Sequence, residues 1–293
     1  MLVTMKEILV EASKGNYAVA APNVNSELDA RAAIEVAEEI NSPLILDAGL
    51  MANPDIVFFG HMLRDLATQS KVPVCINLDH GPSYEACAKA IQAGFTSVMI
   101  DKSAEPFEVN AAEVKRVVDL AHSVGVSVEA EFGHVGQAGN YAHDGNTALT
   151  DPEEAVKFVE ATGVDCLAVA IGTAHGAYPK GEVPFIRHEN LAAIKAALGQ
   201  DFPLVLHGSS GTAEEDLVKV CANGINKVNI ANDLCQAVAQ ALQSADLEGQ
   251  KAYGVWGVAK EGFKNKLRHM MVDVYGSADK AFPVAPAGLP GVK

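Results

Sequence analysis

Short apolar runs alternate with longer stretches of helical pattern along almost the whole chain. The runs cover residues 17–21, 43–47, 72–78, 97–101, 127–132, 165–171, 203–206 and 227–230. They read as eight strands, and their near-continuous apolar character predicts burial on both faces. Helix signals fill the intervals. Asp151-Pro152-Glu153-Glu154 combines an N-cap, a first-turn proline and a capping acid, and Gly163 ends that helix. Thr212-Ala213-Glu214-Glu215 repeats the capping logic and closes at Gly224. Other helices are expected to open at Ser26, at Asn53-Pro54 and at Pro82-Ser83, and to cover residues 113–122 and 189–198.

Eight strand–helix units follow one another with no Pro/Gly/Ser linker between them. This predicts an α/β fold, a single (β/α)8 barrel domain over residues 1–276 with a C-terminal helical extension. Residues 277–293, rich in proline and glycine, read as an irregular, mobile tail. An open doubly wound sheet would place a glycine-rich turn after its first strand. Here that strand runs into Pro22-Asn23-Val24-Asn25.

Composition narrows the function classes. The chain has 293 residues, 22 Lys+Arg against 37 Asp+Glu, and a formal charge of −15. Such an acid excess argues against nucleic-acid partners, which need a basic footprint, and against anionic membrane surfaces. No apolar run approaches the ~18 residues of a membrane span. Lys6, Glu7, Glu11 and Lys14 interrupt the N-terminal stretch, so it does not read as a signal peptide. The five cysteines form no CxxC pair, which suits reduced core thiols and a cytoplasmic location.

In a barrel, chemistry gathers where strands end. Those ends carry Asp79-His80-Gly81, Asp101, Glu129-Ala130-Glu131, Thr173-Ala174-His175-Gly176, His207-Gly208-Ser209-Ser210-Gly211 and Asn229. Taken singly, each histidine is as readily a hydrogen-bonded core residue as a ligand. Together, His80, His175 and His207 form the three-imidazole set of a catalytic zinc site. Asp79 reads equally as a general acid/base or as a partner orienting a ligand. Because neighbouring strand residues face opposite ways, Asp79 and His80 can share one site only if the chain leaves strand geometry there. The turn Gly208-Ser209-Ser210-Gly211, with Asn229 from the next strand, is a candidate phosphate cradle.

At these motifs the chain resembles the class II, zinc-dependent ketose-bisphosphate aldolases, the family of fructose- and tagatose-bisphosphate aldolases. The similarity runs through Leu78-Asp79-His80, Ser97-Val98-Met99-Ile100-Asp101, Ser127-Val128-Glu129-Ala130-Glu131, the segment from Ala168 to Gly176, Leu204-Val205-Leu206-His207-Gly208 and Lys227-Val228-Asn229-Ile230. The resemblance implies reversible retro-aldol cleavage of a phosphorylated ketose to dihydroxyacetone phosphate and an aldehyde. It implies one zinc ion per chain on His80, His175 and His207. Asp79 would exchange the C4 hydroxyl proton, and Gly176, Gly208, Ser210 and Asn229 would hold the triose phosphate, with Asn23 and Asn232 completing that set. Asp101 and Glu131 match acidic positions that hold a second cation in some members. A homodimer or homotetramer is implied as well.

The chain departs from the family pattern in three places. The usual loop glutamate after the fifth strand falls on Gly139, leaving Asp144 or His143 as substitutes for moving the carbon-bound proton. A threonine usual after the eighth strand is replaced by Asn232. Asp47 ends the second strand near the expected distal phosphate, where an anion would repel a second phosphate. That favours a ketose 1-phosphate with an unphosphorylated aldehyde half. Competing readings are a sugar-phosphate-binding paralogue without turnover, a metal-dependent hydrolase on the same barrel, and a Schiff-base aldolase using Lys102 or Lys227.

Overall fold

The structure is a computed structural model that describes residues 1–140 and 149–284. Its strands are β1 (Val19–Pro22), β2 (Leu44–Ala48), β3 (Val74–Gly81), β4 (Ser97–Ile100), β5 (Ser127–Phe132), β6 (Cys166–Val169), β7 (Leu204–Leu206) and β8 (Ile225–Ile230). All pair in parallel in the order β1-β8-β7-β6-β5-β4-β3-β2. A bridge between Asn23 and Asp47, with Val24 N donating to Asp47 O at 2.9 Å, closes β1 onto β2. The result is the (β/α)8 barrel that the strand–helix rhythm predicts.

Helices alternate with the strands: α1 (Met5–Gly15), α2 (Glu27–Glu39), α3 (Ile56–Gln69), α4 (Tyr84–Gln92), α5 (Phe107–Ser123), α6 (Pro152–Thr162), α7 (His188–Leu198), α8 (Glu214–Ala222), α9 (Asn232–Ser244) and α10 (Val255–His269). The expected caps at Ser26, Ser83 and Asp151 each accept a hydrogen bond from a first-turn amide, and Gly163 takes the left-handed C-cap conformation. The Thr212 cap does not form. The Thr212 amide donates to Ser209 O inside the preceding turn, and α8 begins after Ala213 with no side-chain cap. Asn53-Pro54 likewise precedes the true start, where Asp55 caps α3. Helix α5 starts at Phe107, earlier than expected, because that ring packs edge-on against Phe132 and Phe158.

The strands are not apolar on both faces. Successive residues point to opposite sides of a sheet, and here the two sides differ. Leu44, Leu46, Ile76, Leu78, Val128, Ala130, Val228 and Ile230 join the core between sheet and helices. Inside the barrel, Val19, Ile45, Cys75, Cys166 and Val205 pack with Met5, Ile8 and Leu9 of α1, which closes the lower end. Further up, the inward positions turn polar: Asp47, Asn77, Asp79, Glu129, Glu131, His207, Lys227 and Asn229 are all buried. The upper barrel is therefore a polar chamber on an apolar floor.

Beyond α10, residues 270–274 form a π-helical turn, and Tyr275 O accepts from Ala18 N at 3.1 Å. The first part of the expected mobile tail is tied down. Ser277 is buried, and the Asp279 and Ala281 amides donate to Ile40 O and Asn41 O at 2.9 Å. These backbone bonds hold the segment against the end of α2.

Candidate active site

Asp79 and His80 reach one mouth because the chain leaves strand geometry between them. His80 adopts a left-handed conformation (φ 48°), and the β3–β4 register shifts between Leu78 and Gly81. A side chain at positive φ is uncommon, and here it turns the His80 ring to the same mouth as Asp79. The His80 ring then meets His175 and His207 at centroid distances of 4.8 Å, edge to face. One ligand atom each from His80, Glu131, His175 and His207 lies within 4.8 Å of every other. Glu131 is buried, with Oε1 accepting from Val135 N at 2.8 Å and Oε2 without a hydrogen-bond partner among the described residues. Burial pushes this carboxyl up. Three imidazoles beside an unsatisfied buried carboxyl oxygen match the N/O donor set of a catalytic divalent-metal site.

Backbone contacts aim two of the histidines. His175 N donates to Gly136 O, and Ala138 N donates to His175 O, both at 2.8 Å, so the segment after β5 clasps this residue. Burial, with the neighbouring His207 and His80, lowers the His175 value to about 3, which keeps the ring neutral and free to donate a lone pair. Thr173 Oγ1 donates to His207 O at 2.7 Å.

Asp101 stands outside the ligand group. Its Oδ2 lies 2.7 Å from His80 Nδ1, and its Oδ1 accepts from the amide and hydroxyl of Ser103 at 3.0 and 2.7 Å. Asp101, expected on a second cation, thus contacts the His80 ring in the free protein, because the turn after β4 brings it there. Burial works against charge on His80, yet Asp79, Asp101 and Glu131 outweigh it and raise the ring to about 10.

Asp79 is gripped by two amides. Asn23 Nδ2 donates to Oδ2 at 2.8 Å and Asn229 Nδ2 donates to Oδ1 at 3.0 Å. Burial opposes ionisation here too. The charges of His80 and Lys227 and the Asn23 bond overcome it and hold the carboxyl well below the usual range. Asn23 and Asn229, expected on the substrate, thus position the candidate acid/base in the free protein.

Asp47 does not face the mouth. It is fully buried, with Oδ1 accepting from Asn77 Nδ2 at 2.9 Å and Oδ2 3.2 Å from Lys227 Nζ. A carboxyl enclosed inside the barrel and paired there does not stand at the mouth to repel a distal phosphate, so this ground for an unphosphorylated aldehyde half falls. Lys227 also contacts Glu129 at 2.8 Å. Despite burial, Asp47 and Glu129 hold its ammonium well above the usual range, and a protonated lysine is no nucleophile for a Schiff base. Lys102 donates to Pro82 O at 2.9 Å. Glu129 was legible in Ser127-Val128-Glu129-Ala130-Glu131, where polar residues recur every second position.

The glycine turn lies beside this chamber. Gly208 has φ 66°, and a Cβ there would run into the backbone of Ala174. Ser209 Oγ donates to Asn229 O at 2.5 Å, and Asp233 N donates to Ser210 Oγ at 3.2 Å, tying the turn to the start of α9. Asn232 is the first residue of that 13-residue helix, and Gly176 (φ 92°) has open space around it. A helix start beside a glycine turn suits an anion. Asp144 and His143 lie outside the described residues.

The sequence profile of the family described as "Fructose-bisphosphate aldolase class-II" matches residues 3–280. A fructose-bisphosphate aldolase of Thermus caldophilus is 41% identical over 96% of this chain and 100% of its own length. A probable fructose-bisphosphate aldolase of Bacillus subtilis is 40% identical over 96% of this chain and 99% of its own length. Among solved structures, the YdjI aldolase from Escherichia coli K12 superposes with a TM-score of 0.84 at 34% identity, covering 96% of this chain and all of the other. The barrel, the strand-end histidines and these matches agree, and the chain belongs to the class II fructose-bisphosphate aldolase family of lyases.

Proposed function

We propose that this chain cleaves, and in reverse forms, the C3–C4 bond of a ketose 1-phosphate or 1,6-bisphosphate, with dihydroxyacetone phosphate as one product. The observation that carries this reading is the convergence of His80, His175, His207 and Glu131 within 4.8 Å of one another, beside an Asp79 carboxylate held by two amides. His80, His175 and His207 would hold one zinc ion, with Glu131 next to it. When bound, the ion supplies a Lewis acid for the negative charge that develops on the ketose oxygens during cleavage.

The chain's own groups do the rest. Asp79, held ionised, accepts the C4 hydroxyl proton in cleavage and returns it in condensation. The turn Gly208–Ser210, Gly176 and the α9 start at Asn232 bind the triose phosphate through backbone amides and hydroxyl groups. Asn229 spans both tasks, reaching Asp79 and the phosphate turn. Asp144 serves the carbon-bound proton from the segment after β5. The names of the relatives support a fructose bisphosphate as substrate.

All five cysteines are free, which supports a reducing, cytoplasmic setting. Among the described residues, no helix is long and apolar enough to cross a membrane. In α10, Phe263 and Leu267 are buried within the chain, while Trp256 and the preceding Tyr253 are 70% and 91% exposed, supporting self-association as a homodimer or homotetramer.

The test is a coupled assay for dihydroxyacetone phosphate release, run on fructose 1,6-bisphosphate and on ketose monophosphates, with and without EDTA. Turnover abolished by EDTA and restored by zinc is expected. Zinc and triose-phosphate binding without turnover on any ketose would overturn the lyase reading in favour of a binder.

A further inference from the structure

His207 is held from two sides. Nδ1 faces His80 Nε2 at 3.0 Å, toward the middle of the histidine group, and Nε2 lies 2.8 Å from Glu129 Oε1. The other Glu129 oxygen receives Lys227 Nζ at 2.8 Å and Asn77 Nδ2 at 3.5 Å. Lys227 also reaches Asp47, whose second oxygen is held by Asn77. His207, Glu129, Lys227, Asp47 and Asn77 come from or border β7, β5, β8, β2 and β3, and all five are fully buried.

Such a cluster has a high desolvation cost, and apolar side chains of similar volume would incur none. The floor of the same barrel is filled that way. The charged layer sits directly beneath the histidine group and ends on one of its rings. A carboxylate oxygen only accepts, so Glu129 places the His207 proton on Nε2 and leaves the Nδ1 lone pair facing the group. Lys227 determines which Glu129 oxygen is offered to the ring, and its charge stabilises an anion in a place closed to water. His80 uses the opposite nitrogen: its Nδ1 meets Asp101, so Nε2 faces inward.

We propose that Lys227 is a positioning residue for the metal centre, setting the tautomer and orientation of His207 through Glu129 so that this ring donates from Nδ1. The inference rests on the reading that the four-residue group holds a divalent cation. Imidazole ligands gain basicity and a fixed orientation from such partners, and losing one weakens metal binding by about 10–100-fold.

Zinc affinity by chelator competition and the visible spectrum of the cobalt-loaded protein are measured for wild type, K227M, E129Q and K227M/E129Q. We expect folded K227M to bind zinc about 10–100-fold more weakly, with displaced cobalt bands. Because Lys227 acts through Glu129, the double variant should bind within about threefold of E129Q. Wild-type affinity and spectrum in folded K227M would overturn the proposal, as would a double variant more than about tenfold weaker than E129Q. Should K227M fail to fold because it leaves the Glu129 charge unpaired, the double variant, which removes both charges of the pair, decides by comparison with E129Q. In the zinc-loaded wild type, histidine ¹⁵N NMR should show His207 protonated at Nε2 and metal-bound at Nδ1, and the reverse assignment refutes the inference. A wild-type chain that binds no zinc refutes the metal reading and this inference together, whereas an unaffected K227M refutes this inference alone.

Discussion

Asp101 Oδ2 and His80 Nδ1 lie 2.7 Å apart, so this acid orients one ring of the histidine group. Replacing Asp101 by Ala should leave the barrel folded, since the carboxylate sits at its mouth, but should weaken zinc binding about 10–100-fold. Asp101→Asn, which keeps an acceptor without the charge, should fall between. Chelator competition on both variants checks the order. Equal affinity in wild type and Asp101→Ala would remove this residue from the metal centre.

Zinc binding should depend on pH through the same ring. His80 is raised from 6.5 to about 10 in the metal-free protein, so below that point an incoming ion must displace a proton. Apparent affinity should rise about tenfold per pH unit across the neutral range, with one proton released per zinc from this residue. His175, lowered to about 3, adds none. In the metal-free protein the His80 shift also stabilises the fold. That contribution is fully present below pH 6.5 and is lost as pH rises through about 10. Calorimetry in buffers of different ionisation enthalpy counts the protons, and a count of zero at pH 7 contradicts the expectation.

Asp79→Asn should cost about 10²–10⁴-fold in kcat, the usual range for a general acid/base. Zinc should still bind, because Asp79 is outside the ligand group. Asn23→Ala should lower kcat less, by freeing one carboxylate oxygen from its donor. Steady-state kinetics alongside metal analysis separates the two effects. Loss of zinc together with activity in Asp79→Asn would assign the residue to the metal instead.

The phosphate turn gives a stability test. Gly208→Ala combines a positive φ with a collision against the Ala174 backbone, so it should destabilise by more than about 1 kcal/mol and weaken triose-phosphate binding. At Gly176 the φ is also positive but the space is open, so the same substitution should cost less. Thermal melts of the pair test the ranking, and a Gly208→Ala midpoint at or above that of Gly176→Ala reverses it.

Borohydride added with dihydroxyacetone phosphate should leave no adduct on Lys227, whose ammonium is enclosed by Glu129 and Asp47. Mass spectrometry of the tryptic peptides reads this directly, and a trapped lysine would reopen the Schiff-base route.

Much of this molecule is legible before folding. The order of runs along the chain, the caps at Ser26, Ser83 and Asp151 and the histidines at strand ends are local features. They depend on a few neighbouring residues and on the single rule that barrel chemistry lies where strands end. The alternation in Cys75-Ile76-Asn77-Leu78-Asp79 and in Lys227-Val228-Asn229-Ile230 was equally readable, and it separates helix-facing from axis-facing residues. Reading the strands as evenly apolar hid the polar chamber and the places of Asp47, Glu129 and Lys227 in it.

The sequence by itself determined the barrel, the three strand-end imidazoles and the glycine turn, because each follows from short-range pattern and strand order. Only the tertiary structure decided which acid touches which base. Asp101 turns to His80, Glu129 to His207 and Lys227, and Asp47 to Asn77, across separations of 21, 78, 98 and 30 residues. A hydrogen bond is directional and short-ranged, so its partner depends on where distant strands bring their side chains and on local turns such as the left-handed step at His80. No one-dimensional spacing encodes that choice.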